Sequence, residues 1–399
     1  SIFSVEDGGE LRLSGGKYLS NNEAAVVDSR GGTVVVEKGT VVTGKDNSIF
    51  GSRGSDLTIE GEVSSSGTNV DNSTVEVRDS ELTAGNAVGI KIVENDSIVN
   101  VYGSVQTQYD GIKFDAATNY SSYSYGYNNT LNVYPGAKII SADSQAISLE
   151  SKINGIDREN LNKVNITGGT ITGKNGIVVS NGILNISGSD TKITGNGNSI
   201  KGDGYSESSG AGIMIRKSIS NHIIDMTVRD AEITGACAIY GYVKTDNSLV
   251  DDKSDINVNL EGGKFTSNAE TEIDGKSMKV AINFSEIKKG KLEVNLTGGS
   301  YLGEADETYA EYYGKYCKKE THELEKVEED GKIYYKVVDK TAKVAKVDEK
   351  EYPTLQEAIE AAGDGSVVTL LTDVTECVTA DKKITFDLGG FTLTNVDGK

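Results

Sequence analysis

Apolar residues along this chain fall in short alternating groups rather than in long runs. One group recurs as Leu11-Arg12-Leu13, Val34-Val35-Val36, Leu57-Thr58-Ile59, Val75-Glu76-Val77 and Val99-Asn100-Val101. It continues as Leu131-Asn132-Val133, Val164-Asn165-Ile166, Leu184-Asn185-Ile186, Met226-Thr227-Val228, Val258-Asn259-Leu260 and Val294-Asn295-Leu296. A turn follows each copy, often Gly-Gly as at Gly168-Gly169 and Gly298-Gly299, and then a second short strand such as Thr170-Ile171-Thr172. After another small-residue turn comes a third apolar pair, as in Gly111-Ile112-Lys113-Phe114 or Gly176-Ile177-Val178-Val179. Period-two alternation is the pattern of a strand with one buried face. Three such strands per roughly 20 residues make one triangular coil of a solenoid.

A single coil cannot satisfy its backbone groups or bury its inward side chains, whereas stacked coils about 4.8 Å apart do both. Eleven copies predict a rod of roughly 50 Å. The expected fold is all-β: a right-handed parallel β-helix of about 11 rungs over residues 1–303. An antiparallel sandwich is the competing all-β arrangement, and the Asn-Gly steps at Asn154-Gly155 and Asn175-Gly176 are its hairpin signals. The repeat pattern runs on past both. The 47 glycines against 2 prolines, Pro135 and Pro353, suit many tight turns joined by uninterrupted ladders. Hydrophobic residues are only 36% of the chain, but their order excludes a disordered chain.

Residues 304–340 read as a capping region. Their hairpin, turning at Asp330-Gly331, would cover the open end of the solenoid. Residues 341–399 read as the start of a second module that is cut short. Its short helix is expected over 354–362, with Thr354 as N-cap, Glu357 three residues on and Gly363 behind it. Strands follow, and Ser1 reads as an internal point of a longer chain.

The net charge of −20 and pI near 4.6 argue against nucleic acid and anionic membrane surfaces as partners. No run approaches a membrane span. Cys237, Cys317 and Cys377 are expected as free thiols, with a Cys317–Cys377 bridge the open alternative. Acidic groups at Asp203-Gly204 and around Asp251-Asp252 match no calcium-loop spacing, and no zinc spacing occurs. Neither metal nor cofactor is expected.

Where the period stretches, a loop is inserted: residues 118–129, 151–162, 204–210, 244–254 and 268–278. The first holds the candidate carbohydrate site, Tyr120, Tyr123, Tyr125 and Tyr127 among Ser, Gly and Asn, in a chain without tryptophan. Tyrosine offers a flat apolar face and a hydroxyl, and this composition is that of adaptable recognition loops. The bland alternative is a flap folded onto the solenoid wall. An enzyme acting on acidic sugars would need a base, a cation and carboxylates converging on one groove. Asp251-Asp252 falls in a loop, and Arg216-Lys217 lacks an Arg-x-Lys spacing. His222 and His322, the only histidines, lack glycine flanks; His222 reads as a loop or edge residue. An ice-binding face would need a regular outward Thr array, and Thr170, Thr172, Thr194 and Thr234 look irregular among Lys, Asn and Glu.

The segment Ala345 to Val374 (AKVDEKEYPTLQEAIEAAGDGSVVTLLTDV), the rungs Val164 to Val179 (VNITGGTITGKNGIVV) and the Gly298-Gly299-Ser300-Tyr301 step resemble modular surface proteins of Gram-positive gut and oral bacteria. The likeness covers nearly the whole chain; its linker is fairly specific and its rungs are generic. It implies an extracellular, secreted or cell-surface, adhesin-like or carbohydrate-associated repeat protein with no known catalytic residues. The expected partners are host or environmental glycans or surface proteins, with the protein itself monomeric. The alternative is a polysaccharide lyase or glycoside hydrolase on the same scaffold.

Overall fold

The computed structural model describes the chain except residues 23, 46–47, 65–67, 72, 79–80, 85–87, 94, 115, 120–121, 152–157, 201–209, 218–220, 244–252, 274, 341–342 and 395–399. Side chains of residues 69–71, 81, 83–84, 116–119, 122–125 and 272 are also outside it. The chain forms two compact units, Ser1–Val338 and Asp339–Lys399.

The first unit is mostly strand, arranged in three long parallel sheets. Successive strands visit them in turn. Sheet A begins Phe3–Val5, Val27–Arg30, Ile49–Ser52; sheet B begins Glu10–Leu13, Thr33–Val36, Asp56–Ile59; sheet C begins Gly16–Ser20, Thr40–Gly44, Glu62–Ser64. Each strand pairs in parallel with its counterpart one coil later, as in Leu57↔Val75 and Val99↔Leu131. This is compatible with a parallel β-helix and excludes the antiparallel sandwich. All eleven copies of the first alternating motif lie in sheet B. Their inward members, Val75, Val99, Leu131, Val164 and Leu184 among them, are fully buried in one continuous core. A slip of one residue would turn the whole file outward, so burial fixes the register.

Two corners explain why particular small and polar residues recur. Where sheet C turns into sheet A, Gly173, Gly195 and Gly235 occupy one file. A Cβ on Gly195 would sit 2.2 Å from the Ala211 carbonyl oxygen, so no larger residue fits. Where sheet A turns into sheet B, buried side chains stand in for missing backbone partners. Asn129 Oδ1 accepts the Ser97 amide at 2.8 Å, Asn162 Oδ1 accepts the Asn129 amide at 2.9 Å, and Asn181 Oδ1 accepts the Ile223 amide at 2.7 Å. Buried amide groups left unmet would each cost about 1–3 kcal/mol.

The C-terminal end of each of the three parallel sheets is closed in its own way. On sheet A, the final strand Ile282–Asn283 and the residues leading into it meet tyrosine hydroxyls from helix α1 (Glu307–Gly314). Tyr309 Oη accepts the Lys279 amide, Tyr313 Oη accepts the Ala281 amide, and Tyr312 Oη donates to the Ile282 carbonyl. On sheet B, Leu296 donates to the Tyr316 carbonyl and accepts from the Lys318 amide. On sheet C, Ser300–Gly303 pairs antiparallel with Lys332–Asp339, and His322–Glu329 lies beyond. That hairpin turns at Asp330 and Gly331, both with positive φ (52° and 69°), the pair required by a type I′ turn. Helix α1 went unread in the sequence, where its residues look merely aromatic and charged. Its amphipathic signal is carried by tyrosines, and Asp306 caps it by accepting the Thr308 amide.

In the second unit, Ala345–Val347 pairs antiparallel with Lys350–Tyr352 and with Val367–Leu370. Helix α2 (Leu355–Ala361) buries Leu355, Ala358 and Ile359 against them. Thr354 Oγ1 accepts the Glu357 amide at 3.1 Å, as the spacing implies. The Leu355 and Gln356 amides bond the Glu376 carboxylate, a partner twenty residues away that local spacing does not reveal. Val367–Leu370 then pairs in parallel with Thr385–Asp387, and Val374–Thr375 with Leu393–Thr394, a new ladder with an 18–19-residue spacing. Cys237, Cys317 and Cys377 form no disulfide. No helix among the described residues is long and apolar enough to cross a membrane.

Candidate functional site

The insertions are not spread evenly among the connections between the three sheets. Residues 115–129, 151–162, 218–222 and 244–254 all leave the end of a sheet A strand and return to sheet B. Residues 196–210 and 268–281 each connect a sheet C strand to the next sheet A strand. Insertions concentrated beside one face of a repeat scaffold mark the face where function is built.

The tyrosine-rich insertion forms a hairpin of its own. Ala116–Asn119 pairs antiparallel with Ser122–Tyr125, placing Thr118 opposite Tyr123 and Ala116 opposite Tyr125, and this ribbon joins none of the three sheets. Tyr120 and the side chains of Tyr123 and Tyr125 lie outside the described residues. Tyr127 sits at the hairpin's root and is 36% exposed. Its amide donates to Asn95 Oδ1 and its carbonyl accepts the Asp96 amide. Next to it, Asn128 adopts φ 57° and donates through Nδ2 to Asp96 Oδ1 at 2.6 Å. The insertion is therefore anchored to the coil beneath it.

A second aromatic group was invisible in the linear pattern. Arg78, Tyr102 and Tyr134 each follow a sheet B strand by one residue, so parallel register stacks them on one corner. The two rings lie 4.2 Å apart and 4° from parallel, with the Arg78 guanidinium 5.5 Å from the Tyr102 ring centre. Tyr102 is 38% exposed. Burial, and then the bond with Tyr102, raises the Tyr134 phenol above its ordinary value. The signal that could have exposed the pair was their shared offset from the Val-Asn-Val and Leu-Asn-Val motifs.

On the outer face of sheet A, side chains that point away from the core are nonetheless covered. Val178, Met214 and Tyr240 are buried with Ile200 and Cys237 in a separate apolar cluster. Burial pushes the Cys237 thiol up to about 12, which leaves it unreactive near neutral pH. Beside this cluster, Arg216 donates through Nη2 to the Glu150 carboxylate and through Nε to Ser180 Oγ at 3.1 Å. The three residues come from consecutive coils, and the ion pair is almost wholly buried. A carboxylate and a cation on neighbouring coils is the arrangement that sugar-cleaving chemistry needs, and here the two charges engage each other.

Other charged groups have structural partners. Arg158 bonds Asp225 at 2.6 Å and Asp255 at 3.0 Å, tying the end of an insertion to the sheet B face. Burial works to raise the Asp255 carboxyl, but Arg158 and Lys291 hold it below its ordinary value. His222 is a loop residue immediately before its strand, and it is fully buried there. Its amide donates to Ser254 Oγ, so it belongs to the polar A–B corner. Asp251, Asp252 and Asp203 lie outside the described residues. A depression of about 400 Å3 at the capped end is lined by Lys279, Glu304 and Lys332 and by no aromatic ring. Among the described residues no group of three or more His, Cys, Asp or Glu could hold a metal ion.

Comparison with protein-family models, curated proteins and solved structures gives no match.

Proposed function

We propose that this chain is a secreted or cell-surface repeat protein: a right-handed, pectate-lyase-like parallel β-helix of about eleven rungs that serves as a stalk or adhesin. In this reading it binds carbohydrate through its inserted loops and catalyses nothing. The observation that carries the reading is the self-paired tyrosine hairpin, Ala116–Asn119 with Ser122–Tyr125, which contributes nothing to the three sheets. A segment that the scaffold does not need, rich in Tyr and Ser and anchored at its root, is built for contact with something else. The resemblance to modular bacterial surface proteins points the same way. The deciding experiment is a glycan-array screen of the wild type beside a variant with Tyr120, Tyr123, Tyr125 and Tyr127 changed to Ala. Binding by the wild type and its loss in the variant is the expected result; no binding, or equal binding, overturns the assignment.

One observation favours a second reading, a polysaccharide lyase or hydrolase: Glu150, Ser180 and Arg216 converge from consecutive coils on the loop-flanked face. Release of sugar fragments or unsaturated products, abolished by Arg216→Lys, would replace the adhesin assignment with this one.

A further inference from the structure

We infer that the glycan's seat is the outer face of sheet B beside the tyrosine hairpin, and that its ligand is a neutral linear polysaccharide lying along the rod axis. This rests on the carbohydrate-binding reading above and assigns that reading a surface. Asn100, Asn132, Asn165 and Asn185 occupy one outward file on consecutive coils. The Nδ2 groups of Asn132, Asn165 and Asn185 each donate to the Oδ1 of the preceding coil, in three bonds of 3.0 Å. A primary amide has two N–H donors and two carbonyl lone pairs. The ladder uses one N–H and one lone pair of its inner members, leaving one of each per coil for a ligand. These groups repeat at the coil spacing of about 4.8 Å, so a linear polymer parallel to the axis meets a donor and an acceptor at every step.

The borders of this face carry the aromatic residues that a sugar-binding surface requires. The strand Thr130–Val133, which holds Asn132, has exposed Tyr127 before it and Tyr134 immediately behind it. Tyr102 extends that second border by one coil through its stack with Tyr134. An amide ladder serving only to hold coils together needs no tyrosines on both flanks.

Charge selects the ligand class. The chain carries a net −20, yet the asparagine file is uncharged over four coils. The adjoining outward file reads Ile98, Thr130, Lys163, Ile183, with a single cation. A uronate polymer would find one lysine there against an acidic molecule, whereas neutral hydroxyls match spare amide N–H and carbonyl groups.

Affinity electrophoresis of the intact chain through gels containing mannan, xylan, mixed-linkage glucan or polygalacturonate tests this. Asn132→Thr with Asn165→Thr removes two amides, and Thr227 in the same file shows that the position accepts threonine. The double variant is expected to weaken retardation by a neutral polysaccharide about tenfold, a loss of one or two hydrogen bonds. Tyr102→Ser, which leaves the ladder intact, should also weaken it and covers the case in which the double variant misfolds. Retardation that survives both sets of changes but is lost with Tyr123→Ala and Tyr125→Ala overturns this surface while sparing the hairpin. Preference for polygalacturonate overturns the neutral class. Absence of retardation by any of the polymers, alongside an empty glycan array, removes the carbohydrate reading itself.

Discussion

Two groups of tyrosines in this molecule do opposite work. At the closed end, Tyr301, Tyr309, Tyr312, Tyr313 and Tyr335 are buried, and each hydroxyl meets a backbone group: Tyr313 Oη lies between the Ala281 amide and the Leu302 carbonyl, and Tyr301 Oη donates to Gly298. Away from that end, in the turns between sheets, Tyr102, Tyr109 and Tyr127 keep between 36% and 50% of their surface exposed. The end of a stack of parallel sheets leaves open core and unpaired strand edges, and a phenol supplies apolar bulk and a hydrogen-bonding tip together. The side wall has no such needs, so tyrosines there cost little to keep and little to lose. The same side chain is structural where edges end and available where they do not.

The sharpest way to break that comparison is Tyr313→Ala. It removes a fully buried ring and leaves the Ala281 amide unmet, and should cost about 3–5 kcal/mol in chemical denaturation of the first unit. A loss below about 1 kcal/mol would mean that the cap does not close the core. Tyr313→Phe keeps the ring and should cost about 1–3 kcal/mol, with faster hydrogen exchange at the Ala281 amide as its local signature. Tyr102→Ser should cost no more than about 1.5 kcal/mol, because the stacked Tyr134 ring and the Arg78 contact that it loses are both on the surface. Tyr127→Ser should stay within about 0.5 kcal/mol of the wild type, and a larger effect would place it among the structural tyrosines. Mild acid should have the smallest effect. The Thr308 amide, donating to Asp306, holds that carboxyl below its ordinary value of 3.8. Its support of helix α1 is then full above the unfolded value and disappears as pH falls through the lower folded one. Thermal unfolding near neutrality and at about pH 3 should therefore differ less in Asp306→Ala than in the wild type.

Much of the scaffold was legible because a coil repeats one local rule. Each inward Val, Ile or Leu of sheet B could be named from alternation alone, and the Asp330-Gly331 turn from its residue types. The functional surface was not legible in the same way. Of the threonines that look irregular along the chain, Thr172, Thr194 and Thr234 fall into one file with Thr266, whereas Thr170 belongs to the neighbouring file with Lys192, Glu232 and Lys264. Arg78, Tyr102 and Tyr134 are 24 and 32 residues apart in sequence and neighbours in space. Insertions of unequal length destroy any constant spacing from which such contacts could be counted.

The amino-acid sequence determined which residues face inward, that the strands are short and numerous, and where the chain departs from its repeat. Those properties follow from alternation and turn chemistry, which act within a few residues. Only the tertiary structure decided which outward side chains share a file, which hydroxyls end which sheet, and that Glu150, Ser180 and Arg216 meet. Those outcomes depend on parallel pairing across a whole coil, a distance over which sequence carries no fixed period.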